Sequence, residues 1–406
     1  MRTRTRSTLV DTSYQVIDTP GGTTTCAGFY SGGEETIMDE SHPSYRQLMK
    51  AGNIVMGPVD LYKYSREAYP CTTTFGPHPS WGSRQFVGDV IGRIEPYIAD
   101  PHLHNAYLSY GASASLLKAY AAANSANMLM GELLSDLDKT VAMVRKPLGN
   151  TRSLLGKISR RRKWLLKRSK VLTVAQAAAN AWLECRYGWR PIISDMGTII
   201  DSTHVTAARS ERRTFRGGTR GMLNDSVKVS VGNTAVPQLT GAEATTNFKK
   251  SWSSSSGVIV QVSNLNRSSA VAKSLGLRPC DIPATLWEII PYSFVVDWFV
   301  GIGTWISALT PNPDVTILSS WTTTTVNAID TTSGIGRIYV GTAPSTTYYG
   351  DLGTSTRTSF KMTRVVNPSL PTTPPVKPFR LSPAHAVDAL SLLLVGIRQS
   401  LKTLAH

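Results

Sequence analysis

Two textures alternate along the chain. Residues 1 to about 105 carry short β-prone runs among Thr, Gly, Pro and Tyr, with no sustained helical period. From about Tyr110 the apolar positions recur at helical spacing. "SASLLKAYAAANSANMLMGELLSDLDKTVAMVRK" is built of strong helix formers, and Pro147, Gly149 and Asn150 stop it. It predicts a helix over about 113–146, roughly 50 Å long at 1.5 Å per residue. A second helix covers about 152–169. A third opens with Thr173 as N-cap and Gln176 three residues on. Gly188, with Pro191 just beyond, predicts its end, and a short continuation follows to about Ser202.

Strand texture then returns. "VKVSV" (Val227 to Val231) and "VIVQV" (Val258 to Val262) lie between Gly, Asn and Ser clusters. A helical segment over about 283–309 is expected to break or kink at Pro291. Residues 315–366 are Thr-rich and strand-like, "TTPPVKPFRLSP" reads as an extended linker, and Ser382-Pro383 opens an amphipathic helix through Leu404. The expected class is α+β: a helical bundle region and a separate elongated antiparallel sheet region, interleaved in sequence. The strand regions are 1–105, 204–281 and 311–380. The helical regions are 106–203, 282–310 and 381–406.

Charge changes this picture at one place. "ISRRRKWLLKRSK" concentrates Lys and Arg, and from Lys139 to Lys170 there are twelve basic residues and no acid. At 100° per residue, Leu154, Leu155, Ile158, Leu165, Leu166 and Leu172 fall in one arc. Lys157, Arg160, Arg161, Lys163, Lys167, Arg168 and Lys170 fill the rest, while Arg162 points into the apolar arc. Trp164 projects from the middle of the basic face. An aromatic ring among cations can stack on an unpaired base while its neighbours hold phosphates. Ordinary solvated faces mix both signs, and an unrelieved cationic face repels itself unless an anion neutralises it. The alternative polyanion is a membrane surface. Nucleic acid is the preferred reading, with Arg145, Lys146 and Arg152 joining the face as RNA-binding candidates. "RSERRTFRGGTRG" adds Arg209, Arg212, Arg213, Arg216 and Arg220 as either a second contact or an exposed arm.

The totals agree with a polyanionic partner. A net charge of +16 accompanies a hydrophobic fraction of 41% and a charged fraction of 17%, which are values of a folded chain. The four cysteines (Cys26, Cys71, Cys185, Cys280) are dispersed, and the histidines, His102 and His104 included, have no acidic or Cys cluster beside them. No metal, cofactor or catalytic residue is therefore expected. The familiar hydrolase, zinc-protease and phosphate-loop spacings are missing from the sequence. The basic N-terminus has no apolar run behind it and does not read as a secretory signal. Ile289 to Leu309 is long enough to span a bilayer, but Asp297 at its middle would be costly in lipid, so it reads as a buried core helix. Asp297 itself is expected to accept hydrogen bonds from a Trp, Tyr or Arg of a neighbouring helix.

Two stretches carry a family resemblance. "NAWLECRYGWRPIISD" (Asn180 to Asp195) resembles the W-L-E-x-R-Y-G-x-x-P element of the maturation proteins, or A proteins, of the small single-stranded RNA bacteriophages. "EIIPYSFVVDWFVGIG" (Glu288 to Gly303) is similar to that family's P-Y-S-F-V-V-D-W-F element. Cys185 stands where the family usually has an aromatic. The resemblance implies a virion protein present in one copy, replacing a coat-protein dimer. Its helical region would face inward on genomic single-stranded RNA, with structured 3′ elements as targets. Its β region would project outward to a host pilus, and the protein would enter the cell with the genome. Trp182, Leu183, Tyr187, Phe294, Trp298 and Phe299 are expected to lock helices together rather than to bind. The competing readings are a cellular RNA-binding protein, which should show an RRM, KH or OB signature, and a membrane-associated lysis or inhibitor protein.

Overall fold

The computed structural model describes residues 2–19, 21–40, 42–78, 82–94, 105–124, 178–203, 210–232, 239–263, 267–290, 292–340, 346–377 and 383–403. The strands are β1 (Arg2–Ser7), β2 (Val10–Thr19), β3 (Thr23–Asp39), β4 (Val59–Tyr69), β5 (Cys71–His78), β6 (Gly82–Gly88), β7 (Glu211–Gly232), β8 (Gly241–Val262), β9 (Val315–Val340) and β10 (Thr346–Val366). The α-helices are α1 (Tyr45–Lys50), α2 (Ile91–Ile94), α3 (Asn105–Asn124), α4 (Arg190–Thr203), α5 (Arg267–Leu275), α6 (Ile282–Ile289), α7 (Ser293–Phe299), α8 (Ile302–Leu309) and α9 (Pro383–Thr403). The class is α+β, as expected. The chain divides into two compact units. One comprises Met1–Leu116, Arg216–Gly257 and Ser319–Ser369, the other Leu117–Phe215, Val258–Leu318 and Leu370–His406.

The first unit is built on a ten-stranded sheet in the order β5-β6-β2-β3-β4-β10-β9-β8-β7, with β1 paired to β3. Alternation over 252–256 of β8 and 326–338 of β9 buries the even-numbered residues and exposes the odd-numbered ones. The inward face is unusually rich in hydroxyls. Ser115 Oγ on α3 lies 2.8 Å from both Ser254 Oγ and Ser256 Oγ, and Ser256 Oγ lies 2.8 Å from Thr322 Oγ1. All four residues are buried, so each hydroxyl needs the others to replace the water it has lost. Beside them the Trp252 ring wedges between α3 and β7. A Cβ on Gly111 or on Gly221 would come within 2.5 Å of that ring, so both positions require glycine. The apolar core proper joins Tyr14, Phe75 and Phe86 to Ile91, Ile94, Ile338 and Leu352.

One buried ion pair ties the two ends of this unit's N-terminal strands. Arg66 on β4 donates two hydrogen bonds to Asp89, at 2.7 and 2.9 Å, and a third to the Tyr30 carbonyl at 2.8 Å. Thr12 Oγ1 and the Gly92 amide also donate to the Asp89 carboxylate. Burial alone would raise that carboxyl, but the Arg66 and Thr12 hydrogen bonds outweigh it and hold Asp89 below the ordinary carboxylate range.

The second unit differs from expectation at three places. Gly188 and Pro191 do not end a helix. The chain is helical from 178, widens into a π-helical turn over Glu184–Trp189, and continues as α4 through Thr203. The Arg190 amide bonds the Cys185 carbonyl five residues back, as a π-helical turn requires. The helical segment expected over about 283–309 does break beside Pro291, with Tyr292 in the left-handed region at φ 65°, but it forms three short helices, α6 to α8, and Ile289, Val296 and Leu309 are exposed rather than buried in a core. Residues 267–275, in a stretch that reads as strand-like, form α5. Arg278 unites these pieces. Its guanidinium donates to Asp281, Asn312 and Asp314 and to the Asn124 carbonyl at the end of α3.

Candidate functional site

The eleven RNA-binding candidates, Arg145, Lys146, Arg152, Lys157, Arg160, Arg161, Lys163, Trp164, Lys167, Arg168 and Lys170, lie outside the described residues, as do Arg209 and the histidines 102 and 104. The described part of the site is the frame formed by the two sequence motifs. Its centre is Asp388 on α9, whose side chain is fully buried. Trp182 Nε1 donates to Asp388 Oδ1 at 2.7 Å and Tyr187 Oη to Oδ2 at 2.8 Å. Arg186 Nε stands 3.2 Å from Oδ2 and its guanidinium lies over both the Trp182 and Tyr187 rings. Three side chains of "WLECRY", those of Trp182, Arg186 and Tyr187, thus converge on one carboxylate. The π-helical turn matters here, because it re-aims the residues from Glu184 onward without breaking the helix.

Aromatic contacts extend the frame into the second motif. Tyr187 packs on Phe294 with ring centroids 4.5 Å apart, Phe294 on Trp298 at 5.8 Å, and Trp298 stacks on His385 of α9 at 5.1 Å. Burial, with Asp388 adding to it, pushes the Tyr187 hydroxyl up to about 12, so it stays a donor throughout the neutral range. Of the six residues expected to lock helices, Trp182, Tyr187, Phe294 and Trp298 make these contacts.

Asp297 accepts from Trp287 Nε1 at 3.2 Å, as its setting in the sequence suggested. It also caps α8, taking the amides of Ile302 at 2.8 Å and Gly303 at 3.2 Å. Its own carbonyl receives the Lys377 ammonium. Burial lowers the Lys377 pKa, reinforced by Lys118 and opposed by Asp297. Asp388 and Asp297 therefore engage their carboxylates with donors from neighbouring helices, an arrangement that clamps those helices together. Asp388, His385 and Lys377 were missed from sequence. The one available signal was that Asp388 is the sole acid of α9, set in an apolar run.

The remaining arginines fall on β7, at the end of the sheet path. Arg216 and Arg220 are exposed, and Arg213 pairs with Glu211. They belong to a regular strand, not to a free arm. Among the described residues no group of three His, Cys, Asp or Glu side chains could hold a metal ion, and no helix is long and apolar enough to cross a membrane.

Residues 108–402 match the phage maturation protein family. The chain belongs to that family. Both motifs and the basic segment fall inside the matched span, whereas β1 to β6 precede it. Maturation protein A of Escherichia phage MS2 is 27% identical over 219 residues, 53% of this chain and 50% of that protein. Maturation protein A2 of Qbeta virus (strain MX1) is 28% identical over 180 residues, 42% and 39% of the two chains. Maturation protein A2 of Enterobacteria phage SP is 30% identical over 146 residues, 32% and 29%. In these alignments the chain spans at most about half the length of the curated relatives it matches.

Proposed function

We propose that this protein is a non-enzymatic virion component, a maturation and attachment protein carried in single copy. It grips genomic single-stranded RNA, including structured 3′ elements, through a helical bundle whose basic face is Arg145 to Lys170. It binds a host pilus through the sheet and enters the cell with the genome. In the shell it takes the place of a coat-protein dimer, the helical part inside and the strand part outside. The observation that carries this reading is the family match across residues 108–402. Two further features support the division of labour. The acid-free basic run from Lys139 to Lys170 falls within the helical unit, while the strand unit presents a solvent face of Ser, Thr and Tyr. A cationic face requires enclosed polyanion to neutralise it, and hydroxyls with aromatic rings suit a protein partner.

A reconstruction of the particle without imposed symmetry tests the proposal. One copy at a coat-protein-dimer position, with residues 139–170 against RNA density, is the expected result. A copy whose basic segment faces solvent, or its presence at many equivalent positions, would remove the reading.

A further inference from the structure

The solvent face of the sheet holds a set of large side chains towards the end of the β9–β10 pair where the two strands are connected. Tyr349 is 69% exposed, Tyr339 and Ile335 are each 55% exposed, and Tyr69 is 50% exposed. Pairing places them on one face. Tyr349 stands opposite Arg337, Tyr339 opposite Thr347, and Ile335 opposite Asp351. Thr354 lies between Ser333 on β9 and Tyr69 on β4. Tyr339 and Tyr349 are diagonal neighbours, at a separation of about 7–8 Å that aromatic side chains bridge.

The platform beneath is fixed. Leu352 points the other way into the core with no exposure, against the glycines at 334 and 336. Gly353, at φ 89°, forms the bulge between Asp351 and Thr354, and a Cβ there would come within 2.7 Å of the Tyr69 carbonyl. The rings thus stand on backbone whose geometry is set from below, so a partner would order little when it binds them.

Charge decides what could cover such a cluster. Arg337 is the local cation, and Asp351 and Glu67 are the local anions, on a chain whose total is +16. With two anions to one cation, this surface is poorly suited to RNA phosphates or an anionic lipid surface. Clustered exposed tyrosines with an aliphatic neighbour, surrounded by Ser and Thr, are instead the composition of a protein-binding patch. We infer that Tyr69, Ile335, Tyr339 and Tyr349 form the contact by which the strand unit holds a host-surface protein. That protein offers an apolar spot bordered by basic side chains. The inference rests on the adhesive role proposed above for the sheet.

The test uses intact particles carrying the full-length protein and the cells the phage infects. Particles with Tyr339→Ser plus Tyr349→Ser should adsorb at least about tenfold less than the parent, a loss equivalent to about 1.4 kcal/mol. Their packaged RNA and the thermal midpoint of the purified variant should be unchanged. Tyr349→Phe should adsorb nearly as the parent, because the ring remains. Particles lacking the protein separate the two levels. If they fail to adsorb while the double variant adsorbs normally, the patch assignment is overturned and the adhesive role stands. If they adsorb as the parent does, the adhesive role falls and the patch with it. A double variant that loses packaged RNA, or melts well below the parent, would also overturn the inference, because the rings would then serve the genome or the core.

Discussion

Replacing Asp388 probes the clamp most sharply, because one carboxylate holds three donors from a segment about two hundred positions earlier in the sequence. Asp388→Asn keeps one carbonyl oxygen and turns an amide toward a donor. Its oxygen can serve Trp182 or Tyr187 but not both, at contacts that now measure 2.7 and 2.8 Å. The loss is therefore one hydrogen bond to a buried charge, about 1.5–3 kcal/mol. Asp388→Ala leaves all three donors unanswered, and breaking a buried charged pair costs about 3–5 kcal/mol. The lower end applies, since the Arg186 side chain is 27% exposed and recovers part of its hydration. Urea unfolding followed by tryptophan fluorescence measures both variants. The midpoint should fall in the order parent, Asn, Ala with the slope preserved. Arg186→Gln should cost less in the Asp388→Asn background than in the parent, because the interaction it removes is already gone. An Asn variant within about 0.5 kcal/mol of the parent would behave as a surface substitution and would refute the clamp.

Asp89→Asn should destabilise the strand unit by about 3–5 kcal/mol, since it leaves the buried Arg66 guanidinium without its counter-charge. Because the folded Asp89 carboxyl is held below its unfolded value of about 3.9, the parent's contribution is complete above that pH. It is lost as pH falls through the folded value, and acid titration of the parent and the variant should converge there. Charge reversal at Arg160, Arg161 and Lys167 should weaken RNA binding and flatten its salt dependence. A face neutralising about 6–10 phosphates loses roughly 10³–10⁵ in affinity between about 50 and 200 mM salt, so an unchanged slope would place the RNA site elsewhere. Trp164→Ala should cost about 1–3 kcal/mol in RNA binding with little effect on melting if the ring stacks on a base. A loss of about 3–5 kcal/mol in stability would instead mark it as a core residue.

What the sequence revealed depended on how local the controlling interaction was. Alternation made "VKVSV" and "VIVQV" legible as strands, because period two reports only on the residue's own face. Ser382-Pro383 marked the start of the last helix correctly, since a proline at the first helical position is favourable by itself. Asp297 was legible as an acceptor because a lone acid in an apolar run must find donors nearby, and Trp287 and the α8 amides are within ten residues of it. The Gly188 and Pro191 stop failed for the opposite reason. The helix runs past both positions through a π-helical turn, and Tyr187 within it packs on Phe294, a distant contact that local rules do not see. Asp388 was illegible because its donors lie more than two hundred positions away in the chain. Arg216 and Arg220 fell in an expected strand region, but strand and exposed arm could not be told apart, because the glycines among them mask the alternation.

The proposed division of labour gives the two textures of this chain two partners, RNA on the helical side and a host-surface protein on the sheet. Ultraviolet cross-linking of intact particles, followed by mapping of RNA-linked peptides, tests it most directly. Cross-links should concentrate in peptides from residues 139–170, Trp164 among them, and peptides carrying Tyr69, Tyr339 and Tyr349 should remain unmodified. Cross-links on those tyrosines, with residues 139–170 free of RNA, would contradict it.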